Sequence, residues 1–128
     1  MKKIKTVLIT EDEPLNLELE KALFKAAGYT VLEARNAKEG IAIAQDKKPD
    51  VIIVDYQMPK IDGIQFIKML KQDPKIKGIP CIIVTASTTE EQKEMLKKSD
   101  ACGYITKPIN TRTFVKQVIE LAMKHKNH

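Results

Sequence analysis

Val51-Ile52-Ile53-Val54-Asp55 runs directly into Tyr56-Gln57-Met58-Pro59. The apolar run reads as a buried strand that carries the Asp55 carboxylate to the rim of a sheet, within reach of solvent and ligands. An unpaired charge is costly there, so something must use or neutralise it. Three further strand-like runs end in candidate partners. Val7-Leu8-Ile9-Thr10 precedes Glu11 and Asp12, Ile82-Ile83-Val84 precedes Thr85, and Tyr104-Ile105-Thr106 precedes Lys107.

Outward from this run, short apolar segments alternate five times with helix-like ones, the pattern of an α/β parallel sheet covered by helices on both faces. The expected strands are 5–10, 30–34, 51–55, 80–85 and 103–106. A first helix over 14–27 has Pro14 in its first turn, Gly28 at its stop, and Leu15, Leu19, Ala22, Leu23 and Ala26 at helical spacing. A second over 37–45 takes Asn36 as its cap and faces inward through Ile41 and Ala44. A third over 63–72 offers Ile64, Ile67 and Leu70 before Pro74 ends it. The last, over 110–124, takes Asn110 as its cap and Val115, Val118, Ile119 and Ala122 as its inward stripe. The fourth, over 89–98, has only Met95 and Leu96 with which to hold itself down, so weak anchoring is expected.

A chain of 128 residues suits a single domain over 1–128, able to bury roughly two-thirds of its unfolded surface. No apolar run approaches the ~20 residues that span a bilayer. The charged start Lys2-Lys3-Ile4-Lys5 is not a secretory signal, because Glu11, Asp12 and Glu13 break the apolar stretch behind it. Cys81 and Cys102 form neither a disulfide framework nor a metal pattern and read as small core residues in a reducing cytoplasm. His125 and His128 read as an inert tail. The formal charge is +5, but the excess sits at the two ends, and no basic groove interleaved with stacking aromatics is visible. Nucleic acid is therefore not an expected partner, and neither is a membrane.

In an open parallel sheet, ligand sites form beyond the carboxyl ends of the strands. Glu11, Asp12, Asp55, Thr85 and Lys107 all fall there. Three gathered carboxylates repel one another unless a hard divalent cation takes their oxygens, which outlines a Mg²⁺ site. A carboxylate, a hydroxyl, an ammonium and Mg²⁺ also suit phosphoryl transfer. The carboxylate attacks phosphorus in line while the others offset charge on the equatorial oxygens, and Asp55 becomes an aspartyl phosphate.

These residues, with Met58-Pro59, Asp62-Gly63, Thr85-Ala86 and Lys107-Pro108 in this order and spacing, strongly resemble the receiver domain of two-component response regulators over essentially the whole chain. The resemblance implies a flavodoxin-like strand order 2-1-3-4-5, with Asp55 as phosphoacceptor and Asp12 and Asp55 as metal-binding carboxylates. Glu11 would act mainly through metal-bound water, and Gln57 would lend the metal its main-chain carbonyl. Thr85 and Lys107 would hold phosphoryl oxygens. Tyr104 matches the family's switch aromatic, expected to turn inward when Thr85 is drawn toward the phosphoryl group. A cis bond between Lys107 and Pro108 is also implied, and Gln57 and Ser87 occupy positions that tune phosphate lifetime. The implied activity is a switch, not an enzyme with turnover. It is phosphorylated by a histidine kinase or histidine phosphotransfer protein, loses its phosphate slowly by its own catalysis, and signals to a protein target through helix 4, strand 5 and helix 5. With no output region attached, it resembles stand-alone receivers of chemotaxis or phosphorelays.

Other readings compete. Asp12 before Pro14 can simply cap the first helix, Asp55 can form a turn, and Tyr104 can be a core aromatic. An aspartyl-phosphate phosphatase would need a second acid two residues after the nucleophile, where Gln57 stands. A flavin-binding sheet would need a phosphate-welcoming loop where Glu11-Asp12-Glu13 stands. A purely structural module would be favoured by loss of Asp55, Lys107 or the acidic pair, and all are present.

Overall fold

A computed structural model of the chain describes residues 3–86 and 89–126; Ser87 and His128 lie outside them. The elements run β1 Thr6–Thr10, α1 Pro14–Ala26, β2 Thr30–Ala34, α2 Ala37–Lys47, β3 Val51–Asp55, α3 Gly63–Lys71, β4 Cys81–Thr85, α4 Glu90–Lys98, β5 Gly103–Thr106 and α5 Phe114–Lys126. The strands form one parallel sheet in the order β2-β1-β3-β4-β5, as expected.

Side chains alternate across each strand, and in the central strands β1, β3 and β4 both faces are buried, which is why these read as apolar runs. Leu8, Ile52, Val54 and Ile83 point into one layer with Ala44 of α2, Phe66 and Ile67 of α3 and Leu96 of α4. Val7, Ile9, Val51, Ile53, Ile82 and Val84 point into the other with Leu17 and Phe24 of α1 and Phe114, Val118 and Ala122 of α5. Each fully buried aliphatic or aromatic side chain contributes about 1.5–3 kcal/mol of transfer free energy.

The caps agree in part with the reading above. Asn36 accepts a hydrogen bond from the Glu39 amide at 2.9 Å and so caps α2. Asp62 caps α3 in a reciprocal box with Gln65. Gly28, with φ of 94°, ends α1. The α1 cap, however, is Glu13, whose carboxylate accepts from the Asn16 amide at 2.8 Å. Asp12 is thereby released from capping.

Two expectations are corrected. The inward face of α1 is Leu17, Glu20 and Phe24, whereas Leu15 is 79% and Leu19 40% exposed. Phe24 decides the orientation: it is fully buried and meets Phe114 and Tyr29 edge-on at 5.7 and 5.6 Å, contacts that the small Ala22 and Ala26 cannot match. The second correction concerns α5, which begins at Phe114 and not at 110. Asn110 instead builds the preceding turn, its side chain accepting from the Arg112 amide at 2.9 Å and its carbonyl from the Phe114 amide at 2.9 Å.

The fourth helix is as lightly held as expected, with Leu96 its one buried side chain among the described residues and Met95 47% exposed. Cys81 is buried and Cys102 half-buried, both free thiols. Burial pushes the Cys81 thiol up to about 12, so it stays protonated and inert.

Candidate phosphoacceptor and metal site

The carboxyl ends of β1, β3 and β5 bring Glu11, Asp12, Asp55 and Lys107 to one open cleft of about 390 Å³, which Gln57 also lines. Parallel registry makes this convergence automatic. Thr10 of β1 pairs with Val54 of β3, so the residues that follow each strand emerge side by side at the same edge. Gly63, the first residue of α3, fits closely beneath: a Cβ there would lie 3.2 Å from the Asp55 carbonyl oxygen and 3.2 Å from the Tyr56 Cα.

Lys107 is the electrostatic centre. Its Nζ lies 2.8 Å from Asp55 Oδ1 and 3.1 Å from Glu11 Oε1. The Lys107 amide donates to the Thr85 carbonyl at 2.7 Å, tying the loop to β4, and the bond to Pro108 is cis as expected. Glu11 is 1% exposed and also accepts from the Glu13 amide at 3.2 Å. Burial first, and then the charge of Asp55, raise the Glu11 carboxyl above the ordinary range, against the pull of the Glu13 amide and Lys107. Burial likewise raises Asp55, opposed by its hydrogen bond to Lys107 and reinforced by Asp12. For Lys107, burial disfavours the charge, but the bonds to Asp55 and Glu11 outweigh it and hold the ammonium above the ordinary lysine value.

One lysine charge facing three acids leaves the site short of positive charge. Glu11, Asp12 and Asp55 each offer a carboxylate oxygen, and these oxygens lie within 4.8 Å of one another. A close set of hard oxygens, two on nearly buried side chains and one on an exposed side chain open to solvent, fits a divalent cation that keeps part of its water.

Thr85 and Tyr104 do not line this cleft. Thr85 is buried at the end of β4, and Tyr104 is half-buried, packing on the layer that holds Leu96 and lining a separate cleft against α5. One nearby residue escaped the sequence reading. Glu20 of α1 is 3% exposed, and its carboxyl is raised to about 8 by burial and then by Glu11. It shares a second cleft with Lys107, Asn16 and Ala86. The available signal was its position three residues after Leu17 and four before Phe24, on the stripe that faces the sheet.

Comparison with known proteins agrees with this geometry. The profile of the response regulator receiver domain family matches residues 7–119. The polar-differentiation response regulator DivK of Brucella anthropi is 35% identical over 114 residues, covering 89% of this chain and 93% of that protein. Among solved structures, the chemotaxis response regulator CheY4 of Vibrio cholerae superposes with a TM-score of 0.85 at 30% identity, covering 93% of this chain and 99% of that one. A response regulator receiver domain protein from Clostridium thermocellum gives 0.84 at 26% identity, covering 97% and 98%.

Proposed function

Because this chain belongs to the response regulator receiver domain family, we propose that it works as a signalling switch whose Asp55 takes a phosphoryl group from a phosphohistidine of a histidine kinase or phosphotransfer protein. The observation that carries this reading is the grip of Lys107 on Asp55 Oδ1 at 2.8 Å, beside three carboxylates whose oxygens lie within 4.8 Å. In the transfer, an Asp55 oxygen attacks phosphorus as the phosphorus–nitrogen bond of the donor breaks. The imidazole leaves with the electron pair and takes up a proton.

Lys107 already lies where it can follow charge from the Asp55 carboxylate to the phosphoryl oxygens, and Thr85 supplies a hydroxyl from the end of β4. Glu11, Asp12 and Asp55, with the Gln57 carbonyl, would hold Mg²⁺. When bound, Mg²⁺ supplies the positive charge that offsets these acids and the transferred group. Loss of the phosphate follows when water attacks phosphorus and the phosphorus–oxygen bond to Asp55 breaks, restoring the carboxylate. With Gln57 in place of an acid two residues on, no side chain there protonates a leaving alcohol, which favours a switch over a phosphatase.

The output belongs to the face of α4, β5 and α5, read by a protein target. Two features support this. α4 buries only Leu96, and the Gln92 Oε1 acceptor is buried with no hydrogen-bond partner among the described residues, so this helix costs little to move. Tyr104 beside it is the proposed switch aromatic, turning inward as Thr85 engages the phosphoryl group. A cytoplasmic location belongs to the same proposal.

The test is intact-mass analysis after incubation with a small-molecule phosphodonor and with a phosphohistidine protein. A single phosphoryl adduct is expected on wild type with Mg²⁺, reduced by chelation and lost in Asp55→Asn. An adduct of equal yield in Asp55→Asn, or none on wild type with any donor, would overturn the assignment.

A further inference from the structure

We propose that the groove between α2 and the β3–α3 loop is a docking site for an acidic, amphipathic segment of a partner protein. It shares no lining residue with the phosphorylation cleft or with α4–β5–α5, encloses about 570 Å³, and has an apolar floor of Ala37, Ile41, Ile61 and Met69. Met69 is 46% exposed although it sits beside other apolar side chains, so apolar surface here stays wet until something covers it.

The rim is basic. Arg35, Lys38 and Lys60 line the groove, and no carboxylate does so among the described residues. The acids nearest in sequence are already engaged. Glu39 accepts from the Arg35 amide and from Asn36 Nδ2, each at 3.1 Å, and Asp62 accepts from the Gln65 amide at 2.8 Å. Arg35 acts on Glu33, but Lys38 and Lys60 make no ion pair among the described residues. The groove therefore combines uncovered apolar area with positive charge that no carboxylate of its lining offsets, which selects an occupant carrying apolar anchors and carboxylates.

The backbone of one wall holds a residue in the left-handed region. The Ile61 amide donates to the Pro59 carbonyl at 2.9 Å, closing a γ-turn around Lys60, whose φ is 73°. A lysine in that region costs on the order of 1 kcal/mol or more, and such strain concentrates at ligand-binding positions. The turn places Pro59, Lys60 and Ile61 together in the groove wall. Both flanking helices are firmly capped, α2 by Asn36 and α3 by the Asp62–Gln65 box, so little ordering is needed on binding. The groove is concave and its lining contains no aromatic ring, which argues against a lipid surface and against stacked nucleic-acid bases.

The test is an NMR titration of the full chain with a short synthetic peptide carrying leucines at helical spacing among glutamates, compared with the same peptide in lysine and in serine-for-leucine forms. Amide shifts are expected at 35–41, 60–61 and 69 with the acidic peptide alone. Affinity should fall about tenfold in the double variant Lys38→Glu, Lys60→Glu, and also in Ile61→Ser, as expected for rim charges and an apolar anchor acting together. Circular dichroism of each variant checks the fold, and Asp55→Asn should bind the peptide as wild type does, so this test stands apart from that of the phosphorylation site. Shifts confined to other faces, equal binding of the lysine peptide, binding to anionic vesicles that the peptide does not displace, or a wild-type dimer that Ile61→Ser dissociates would each overturn the proposal.

Discussion

Glu20 brings a carboxyl into a layer otherwise built from Leu17, Phe24 and Phe114, and it stays there by holding its proton. Its folded value of about 8 lies above the ordinary 4.5. Between those two values the native state keeps a proton that the unfolded chain has lost. Stability therefore falls as pH rises through that window and levels off above it, at up to about 1.4 kcal/mol per pH unit. The charges facing Glu20 are Glu11 and Asp55, which raise it, and Lys107, which lowers it. Glu11 and Asp55 are themselves raised and add slope of the same sign, so the difference between wild type and Glu20→Gln isolates the one residue. Denaturant melts should show the two proteins nearly equal at pH 5 and Glu20→Gln more stable by a few kcal/mol at pH 9. Equal stability across the range would mean that Glu20 is solvated and ionised. Residues of this kind are hard to read in advance. Asp55 and Lys107 announce themselves by following apolar strands, but a glutamate on a helix looks like a solvated face until the face is known.

The helices differ in how well their orientation can be read, and α1 shows why. Its apolar residues surround the axis, so the expected set Leu15, Leu19, Ala22, Leu23 and Ala26 is as helical in spacing as the buried Leu17 and Phe24. Periodicity alone does not choose between them, whereas contact with Phe114 and Tyr29 does. Leu17→Ala should cost about 2–5 kcal/mol while Leu15→Ala changes stability by under about 0.5 kcal/mol. Comparable losses at both positions in chemical denaturation would contradict the assigned face. The central strands β1, β3 and β4 left no such ambiguity, because runs buried on both faces allow only one reading. In α4 the shortage of apolar residues was itself legible, but the trapped Gln92 acceptor was not, since its burial depends on tertiary packing that a polar helix does not announce. Gln92→Met keeps the volume and removes the unmet acceptor, so it should stabilise the domain by about 1 kcal/mol and slow amide exchange across Glu90–Lys98. A destabilised variant would show that this oxygen is hydrogen-bonded in solution.

At the scale of the whole molecule, the parallel sheet collects charge from residues 11, 12, 55 and 107 at a single edge, an arrangement that exists only in the folded state. Among the described residues, no helix is long and apolar enough to cross a membrane. Everything that binds this edge must therefore be coupled to global stability. A ligand held by the native state alone stabilises it by about 2.7 kcal/mol at a concentration 100 times its dissociation constant. Mg²⁺ should raise the melting temperature in a saturable way, and the increment should vanish in the double variant Asp12→Asn, Asp55→Asn. It should also depend on pH with a definite sign. Glu11 and Asp55 are both raised, so their protons compete with the cation at a higher pH than those of ordinary carboxylates would. The Mg²⁺-dependent increment is accordingly expected to shrink as pH falls from 8 to 5, while an ion held loosely by exposed carboxylates would lose little over the same range. Thermal melts with and without the cation at the two pH values separate these cases, and an increment unchanged between them, or retained in the double variant, would place the bound cation elsewhere on the surface.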